Sequence, residues 1–240
     1  MLHEVQRNDA GMFTPGTWND AMLLALSRDT GWWLQPLAND YHDIRAHLPV
    51  LYAIARNINW PDQRHGEPVC DGKPPLCLEI GVRLGISTIA ILYAMKETDG
   101  RLISLEFDDG TRGDRENYAA KAQERINAAG LSKWWQLEVQ DSNEFDVAKI
   151  PGPLDFLWID GAHDAGQVRK DMLKYGPLVR KNGMMVLHDY FSTVGPCDPP
   201  TNGPWISEVS IPVEEFRATS EWEICTLPYS FGLTLMRKLV

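Results

Sequence analysis

The spacing of apolar positions changes character along the chain near residue 75. Before that point apolar residues recur at helical intervals. Trp18, Met22 and Leu26 share one face of a helix opened by Thr17 and Asp20 and running to Arg28. Gly31-Trp32-Trp33 interrupts it. Tyr41, Ile44, Leu48, Leu51 and Ile54 then define a second helical region, which Pro49 either restarts or kinks. Residues 1–15 read as an irregular arm, and 60–75, rich in Pro, Gly and charge, as a loop.

After residue 75 short apolar runs alternate with helical stretches. Leu76–Ile80, Arg101–Glu106, Trp135–Val139, Leu154–Ile159 and Met184–Leu187 predict five strands, the first of them a buried parallel one. The intervening helices run through Ile89–Met95, over 115–129 up to Gly130, and over 165–179, with Asn182-Gly183 turning into the fifth strand. Pro212 opens a short helix over 213–218. Strands at Trp222–Leu227 and Phe231–Met236 close the chain, joined by Pro228-Tyr229-Ser230. The alternation predicts an α/β fold with a doubly wound parallel sheet. It sets residues 1–70 apart as an N-terminal helical extension from a main domain over 71–240.

Composition narrows this little. The 240 residues are 44% hydrophobic and 23% charged, the balance of one domain with a full core. A net charge of -10 argues against nucleic acid or an anionic membrane as partner. The four cysteines, Cys70, Cys77, Cys197 and Cys225, form no CxxC pair, and Cys77 and Cys225 lie in strand-like runs as expected buried thiols. The early apolar run, Ala21–Leu26, is too short for a signal core, and no stretch approaches the length of a membrane span. The expectation is a soluble, cytoplasmic protein in a reducing compartment.

Chemistry concentrates where strands end. Between the first strand and its helix lies Glu79-Ile80-Gly81-Val82-Arg83-Leu84-Gly85, followed by Ile86-Ser87-Thr88. Its two glycines let backbone approach a ligand at a helix N-terminus. The spacing departs from the dinucleotide fingerprint, because Val82-Arg83-Leu84 separates the glycines. Glu106, Asp141, Asp160, His188 and Asp189 each stand just past a predicted strand, where open α/β sheets bind ligands. Glu106 is placed to accept ribose hydroxyls, which leaves a nicotinamide-dependent oxidoreductase as one reading. Asp141 and Ser142 either meet an adenine edge or form an Asx-turn.

Glu79-x-Gly81-x-x-x-Gly85 resembles the first motif of class I S-adenosylmethionine-dependent methyltransferases. That resemblance implies a Rossmann-like, mostly parallel seven-stranded sheet with a terminal antiparallel hairpin, and S-adenosylmethionine (SAM) as cofactor. Its binding residues would be Glu79, Gly81, Gly85, Ser87, Glu106, Asp141, Ser142 and Asp160, with Glu79 near the sulfonium or satisfying its own loop. Trp158-Ile159-Asp160-Gly161-Ala162-His163 and Leu187-His188-Asp189-Tyr190 resemble metal-dependent O-methyltransferases of antibiotic sugars and the related cephalosporin-hydroxylase-like proteins. This implies a divalent cation, magnesium or manganese, on Asp160, His188 and Asp189, with Asp160 and His163 catalytic and His163 the general base.

His188 departs from the pattern, since a carboxylate is more usual there and imidazole suits manganese, iron or zinc better than magnesium. The expected reaction is methyl transfer to a hydroxyl of a small molecule, a sugar, phenol or polyketide-type product. A cofactor-binding protein without methyl transfer is the further alternative. Residues 191–206 are expected to form a lid or acceptor-binding loop, and the N-terminal helices are candidates for contact in a homo-oligomer.

Overall fold

The computed structural model describes residues 44, 47–58, 73–107, 117–191, 206–228 and 230–240. The expected helix over 17–28, Trp32, Trp33, Tyr41, Cys70, Cys197 and nearly all of the 191–206 loop lie outside the described residues. Seven strands form one sheet: β1 (Leu76–Ile80), β2 (Arg101–Glu106), β3 (Trp135–Val139), β4 (Leu154–Ile159), β5 (Val179–His188), β6 (Trp222–Leu227) and β7 (Leu233–Lys238). Their order is β3-β2-β1-β4-β5-β7-β6. The first five are parallel, and β7 runs antiparallel to both β5 and β6. This is the doubly wound, mostly parallel sheet that the strand–helix alternation predicts.

Helices cover both faces. On one lie α1 (Leu48–Asn57), α2 (Ile86–Thr98) and α3 (Tyr118–Ala128); on the other, α4 (Ala165–Tyr175) and α5 (Ser210–Arg217). Strand β1 serves both, with Cys77 in the first core and Leu78 and Ile80 in the second, the period of two that a pleated strand requires. Helix α2 is buried along ten successive residues, Ile86 to Met95. A helix apolar all round must be covered all round. The sheet covers α2 from one side and α1 from the other, through Leu48, Leu51 and Ala55. Tyr52 Oη donates to Glu97 Oε1 at 2.8 Å across that contact.

Several boundaries depart from the sequence expectation, each for a local reason. Helix α3 starts at Tyr118 rather than 115, because Asn117 is a non-helical cap accepting from the Ala120 N–H. Helix α4 stops at Tyr175, not 179. Pro177 lacks an N–H, and a single 3-10 turn (Gly176–Leu178) leads out. Strand β5 begins at Val179, five residues early. Asn182-Gly183 is a bulge inside it, with Asn182 at φ 62° and a register shift against β4 between Leu154 and Phe156. Strand β7 begins at Leu233 because Ser230, Phe231 and Gly232 all have positive φ. Helix α5 begins at Ser210 with Pro212 in its first turn. Cys225 is exposed rather than buried, since β6 is the edge strand; Cys77 is buried.

The register brings the chemistry to one rim. Ile80 is level with Leu105 of β2 and Ile159 of β4, and Ile159 is level with Leu187 of β5. Gly81, Glu106, Asp160 and His188 therefore leave the sheet side by side. Among the described residues no helix is long and apolar enough to cross a membrane.

Helix α1 precedes the expected domain boundary at 70/71 yet shares its core with α2 and the sheet. Leu51→Ala, at a fully buried position, should lower the free energy of unfolding by about 3 kcal/mol. In urea titration the loss should appear in the transition reported by the sheet. An unchanged midpoint would mean that α1 folds independently of the domain.

Candidate active site

The strongest concentration of charge sits past β4 and β5. One oxygen of Asp160, one of Asp189 and a ring nitrogen of His163 lie within 4.8 Å of one another. His163 Nε2 is 2.8 Å from Asp189 Oδ2 and 3.8 Å from Asp160 Oδ1. His188 approaches the same carboxylates from below, its Nδ1 3.2 Å from Asp189 Oδ2 and 3.5 Å from Asp160 Oδ1. The structure thus gathers the four residues past β4 and β5 into one cluster. His163 keeps 28% of its side-chain exposure and Asp160 20%, whereas Asp189 and His188 keep 3% and 1%. The open side of the cluster is therefore the Asp160–His163 side.

Two buried carboxylates need compensation. Burial favours their neutral forms, but His188 and His163 outweigh it and hold Asp160 well below the usual carboxylate range. Asp189 is likewise lowered, burial opposing and the two imidazoles prevailing. In return, burial works to lower His163, and hydrogen bonds and attraction from Asp160 and Asp189 overcome it, raising it to about 9. His188 is raised well above its ordinary value by the same pair against the pull of burial. At neutral pH the cluster holds two anions and two imidazolium cations. His163 in that state is a proton donor.

Other elements fix this arrangement. Ser230 O accepts from His188 Nε2 at 3.2 Å and from His47 Nε2 at 2.9 Å. A carbonyl only accepts, so both rings carry a proton on Nε2, and Nδ1 is the His188 nitrogen that faces the carboxylates. His47, at the head of α1, meets His188 edge-on with centroids 5.1 Å apart. Burial lowers His47 to about 4, so it is neutral. Asp189 has φ 59°, a left-handed conformation uncommon for a residue with a side chain. Ser207 Oγ donates to the Asp189 carbonyl at 2.6 Å, and Glu208 N donates to the His163 carbonyl at 2.8 Å. Asp189 Oδ1 is buried with no hydrogen-bond donor among the described residues. An acceptor left bare beside a second carboxylate suits a cation.

The glycine turn lies immediately beside the cluster. Gly81 (φ 90°) rests against the Asp160 backbone, where a Cβ would fall 2.3 Å from the carbonyl oxygen. Gly85 (φ 74°) caps α2, and a Cβ there would meet Ala122 of α3 at 3.3 Å. In both places the neighbour that needs the missing Cβ is protein. Glu106 Oε2 accepts from the N–H groups of Val82 (3.0 Å) and Arg83 (2.7 Å), tying the turn to the end of β2. Asp141 Oδ1 accepts from Asn143 N at 2.8 Å, the Asx-turn geometry. The Ser142 hydroxyl points away from the rim and donates to Asp171 at 2.6 Å.

Glu79 is fully buried beneath this rim. Its carboxylate accepts from Ser87 Oγ (2.7 Å), Thr88 Oγ1 (2.9 Å) and Ser104 Oγ (2.6 Å), so Glu79 and Ser87 face each other across the β1–α2 junction. Burial raises Glu79 to about 7 against the pull of those three donors. The sequence alone does not point to His47, Ser207, Glu208 or Ser230. Ser230 acts through its backbone, which leaves no mark on residue type, and the other three belong to no motif.

Residues 78–190 match a family model described as a methyltransferase domain. Comparison with curated proteins finds no match. Among solved structures, the chain is similar to the O-methyltransferase TomG from Streptomyces achromogenes, involved in tomaymycin synthesis and solved in complex with SAM. The two are 17% identical over 99% of this chain and 93% of that one, with a TM-score of 0.60. A putative caffeoyl-CoA O-methyltransferase from Staphylococcus aureus is 15% identical over 92% and 99%, with a TM-score of 0.64. An O-methyltransferase from Bacillus cereus in complex with SAH is 17% identical over 92% and 90%, with a TM-score of 0.59. At these identities the likeness is one of fold.

The native state binds the Glu79 proton more tightly than the unfolded chain, whose Glu titrates near 4.5. Glu79 should therefore make stability fall as pH rises from about 4.5 to 7, by about 3 kcal/mol in all. Glu79→Gln has no proton to lose. Urea unfolding at pH 5 and pH 8 should show a smaller pH-dependent loss in the variant than in the wild type. An equal loss in both would place the titration elsewhere.

Proposed function

We propose that the chain, whose residues 78–190 match a methyltransferase domain and whose fold is that of SAM-dependent O-methyltransferases, methylates a hydroxyl oxygen of a small molecule, aided by a divalent cation. The observation that carries this reading is the meeting of Asp160, His163, His188 and Asp189 beside the glycine turn, with Glu106 and Asp141 continuing the same rim. Hydride transfer to a nicotinamide cofactor is less well supported. Val82-Arg83-Leu84 fills the place of the close glycine that a dinucleotide pyrophosphate requires.

SAM, when bound, supplies a methyl group on a sulfonium, already activated for attack. The chain's part is then alignment and proton management. Glu106 and Asp141 lie toward β2 and β3, on the nucleoside side, and Gly81 leads toward the cluster, on the reacting side. Because His163 is the more exposed imidazole and His188 the sealed one, His163 would take the hydroxyl proton, in the neutral form it reaches only when a cation offsets the two carboxylates. Transfer of the methyl to the acceptor oxygen would leave the hydroxyl proton on the neutral His163 imidazole and S-adenosylhomocysteine as the second product.

The residues fit a cation. Asp160, Asp189 and His188 Nδ1 would hold it, and the bare Asp189 Oδ1 offers a further donor. Bound there, it would lower the pKa of the acceptor hydroxyl as a Lewis acid. It would also offset the two carboxylates that keep His163 protonated, leaving that imidazole basic. A donor set of two carboxylates and an imidazole favours manganese or a similar ion over magnesium. A sugar, phenol or polyketide-type acceptor and a cytoplasmic setting complete the proposal.

Calorimetric titration with SAM is the first measurement, and no binding at millimolar concentration overturns the reading. With SAM and a panel of hydroxylated acceptors, mass spectrometry should find a methylated product together with S-adenosylhomocysteine. Binding without product would reduce the protein to a cofactor-binding one. His163→Ala should lower kcat by about 100-fold or more. Asp189→Asn should abolish stimulation by manganese. Full activity after chelation would remove the cation from the mechanism while leaving methyl transfer standing.

A further inference from the structure

The loop after β3 is held by a set of contacts that packing alone does not call for. Gln167, Asp171, Lys174 and Tyr175 fall at i, i+4, i+7 and i+8 along α4, one face of the helix. Where a covered face would ordinarily be apolar, this stripe is polar, and all of it addresses residues 142–145. Lys174 Nζ donates to the carbonyls of Ser142 (2.7 Å), Asn143 (2.9 Å) and Phe145 (2.7 Å). An ammonium has three N–H groups, and each has its own carbonyl. Tyr175 Oη donates to the Ser142 carbonyl as well, at 2.5 Å. The Ser142 hydroxyl donates to buried Asp171, and Gln167 Nε2 braces both at 3.2 and 3.1 Å.

From the other side, Asp141 gathers the loop's N–H groups. Its carbonyl accepts from Glu144 and Phe145, each at 3.0 Å, and its side chain from Asn143. The loop is thus fixed through backbone acceptors outside and backbone donors inside. It lies beside Glu106, whose carbonyl accepts from Gln140 N at 2.9 Å. With the reacting end of the cofactor at the β4–β5 cluster and the ribose at Glu106, the base falls on this loop.

Resting on that SAM reading, we propose that Lys174, supported by Tyr175 and Asp171, is a positioning residue for adenine recognition. It touches no ligand. It holds residues 141–145 in the shape that meets the adenine edge, and edge recognition fails when its partners shift by an ångström. Charged-to-carbonyl hydrogen bonds are the stronger kind, so three of them on one short loop make a stiff support.

The test uses the full chain with S-adenosylhomocysteine and S-inosylhomocysteine, which differ at the exocyclic amine. The wild type should bind the adenine ligand and discriminate against the hypoxanthine one. Lys174→Met should weaken S-adenosylhomocysteine by about tenfold and shrink the ratio between the two ligands. Its amides at 143–145 should exchange hydrogen faster while those of β1 and β4 do not. Tyr175→Phe, which leaves Lys174 on the Ser142 carbonyl, should shift the ratio in the same direction by less, and it stands in if Lys174→Met does not fold. Unchanged affinity and ratio in variants that fold overturn the proposal. A wild type that binds neither ligand overturns the cofactor reading itself, and the role of Lys174 with it.

Discussion

Two carboxylates withdrawn from water at the ends of adjacent strands are the constraint around which this rim is built. Asp189 is almost wholly sealed and Asp160 mostly so. Left ionised and alone, such groups would cost several kcal/mol each. The chain answers with His163 and His188, both drawn to their protonated forms by the same acids. Once His188 is fixed as a donor to the Ser230 carbonyl, the turn between β6 and β7 and the head of α1 become parts of the site. The antiparallel end of the sheet and the N-terminal helix thus have a chemical as well as a packing role.

The resulting cluster is electrically balanced: two carboxylates against two imidazolium groups. Exchange of two protons for one divalent ion would leave that balance unchanged, while desolvation is already accommodated by the fold. A cation taken up by these four residues would displace protons rather than add net charge. Asp189 shows where the balance is incomplete, with one oxygen paired and the other buried without a donor. Its left-handed backbone, held by Ser207, is strain kept at the candidate site.

Most of the fold was legible because buried parallel strands announce themselves. Leu76–Ile80, Arg101–Glu106 and Leu154–Ile159 stand where their apolar runs place them, and so do the edge strands Trp135–Val139 and Trp222–Leu227. Boundaries failed where backbone conformation outranked composition. Asn182-Gly183 looks like a turn and is a bulge, because the strand before it pairs with Leu154. The convergence of Asp160, His188 and Asp189 was legible from position past the strands, and the place of His163 beside them from the family resemblance. What each polar side chain touches was less so. Glu79 and Ser87, both near the motif glycines, satisfy each other inside the β1–α2 junction. His47 lies far from any motif and reaches the site through a carbonyl that any residue type would provide.

The glycine turn is best understood through its neighbour rather than through a ligand. Gly81 N donates to the Leu105 carbonyl at 3.0 Å, and Asp160 N donates to the Ile80 carbonyl at 2.9 Å. Between these two bonds the backbones of residues 81 and 160 touch, with no room for a Cβ. Glu106 binds the next two N–H groups of the turn. The turn and the first acid of the cluster are therefore one rigid piece, so a displacement of either carries the other. For the proposed methyl transfer, which would depend on aligning two bound molecules, such a direct backbone contact would transmit less slack than a pair of side chains, and glycine is the residue that permits it.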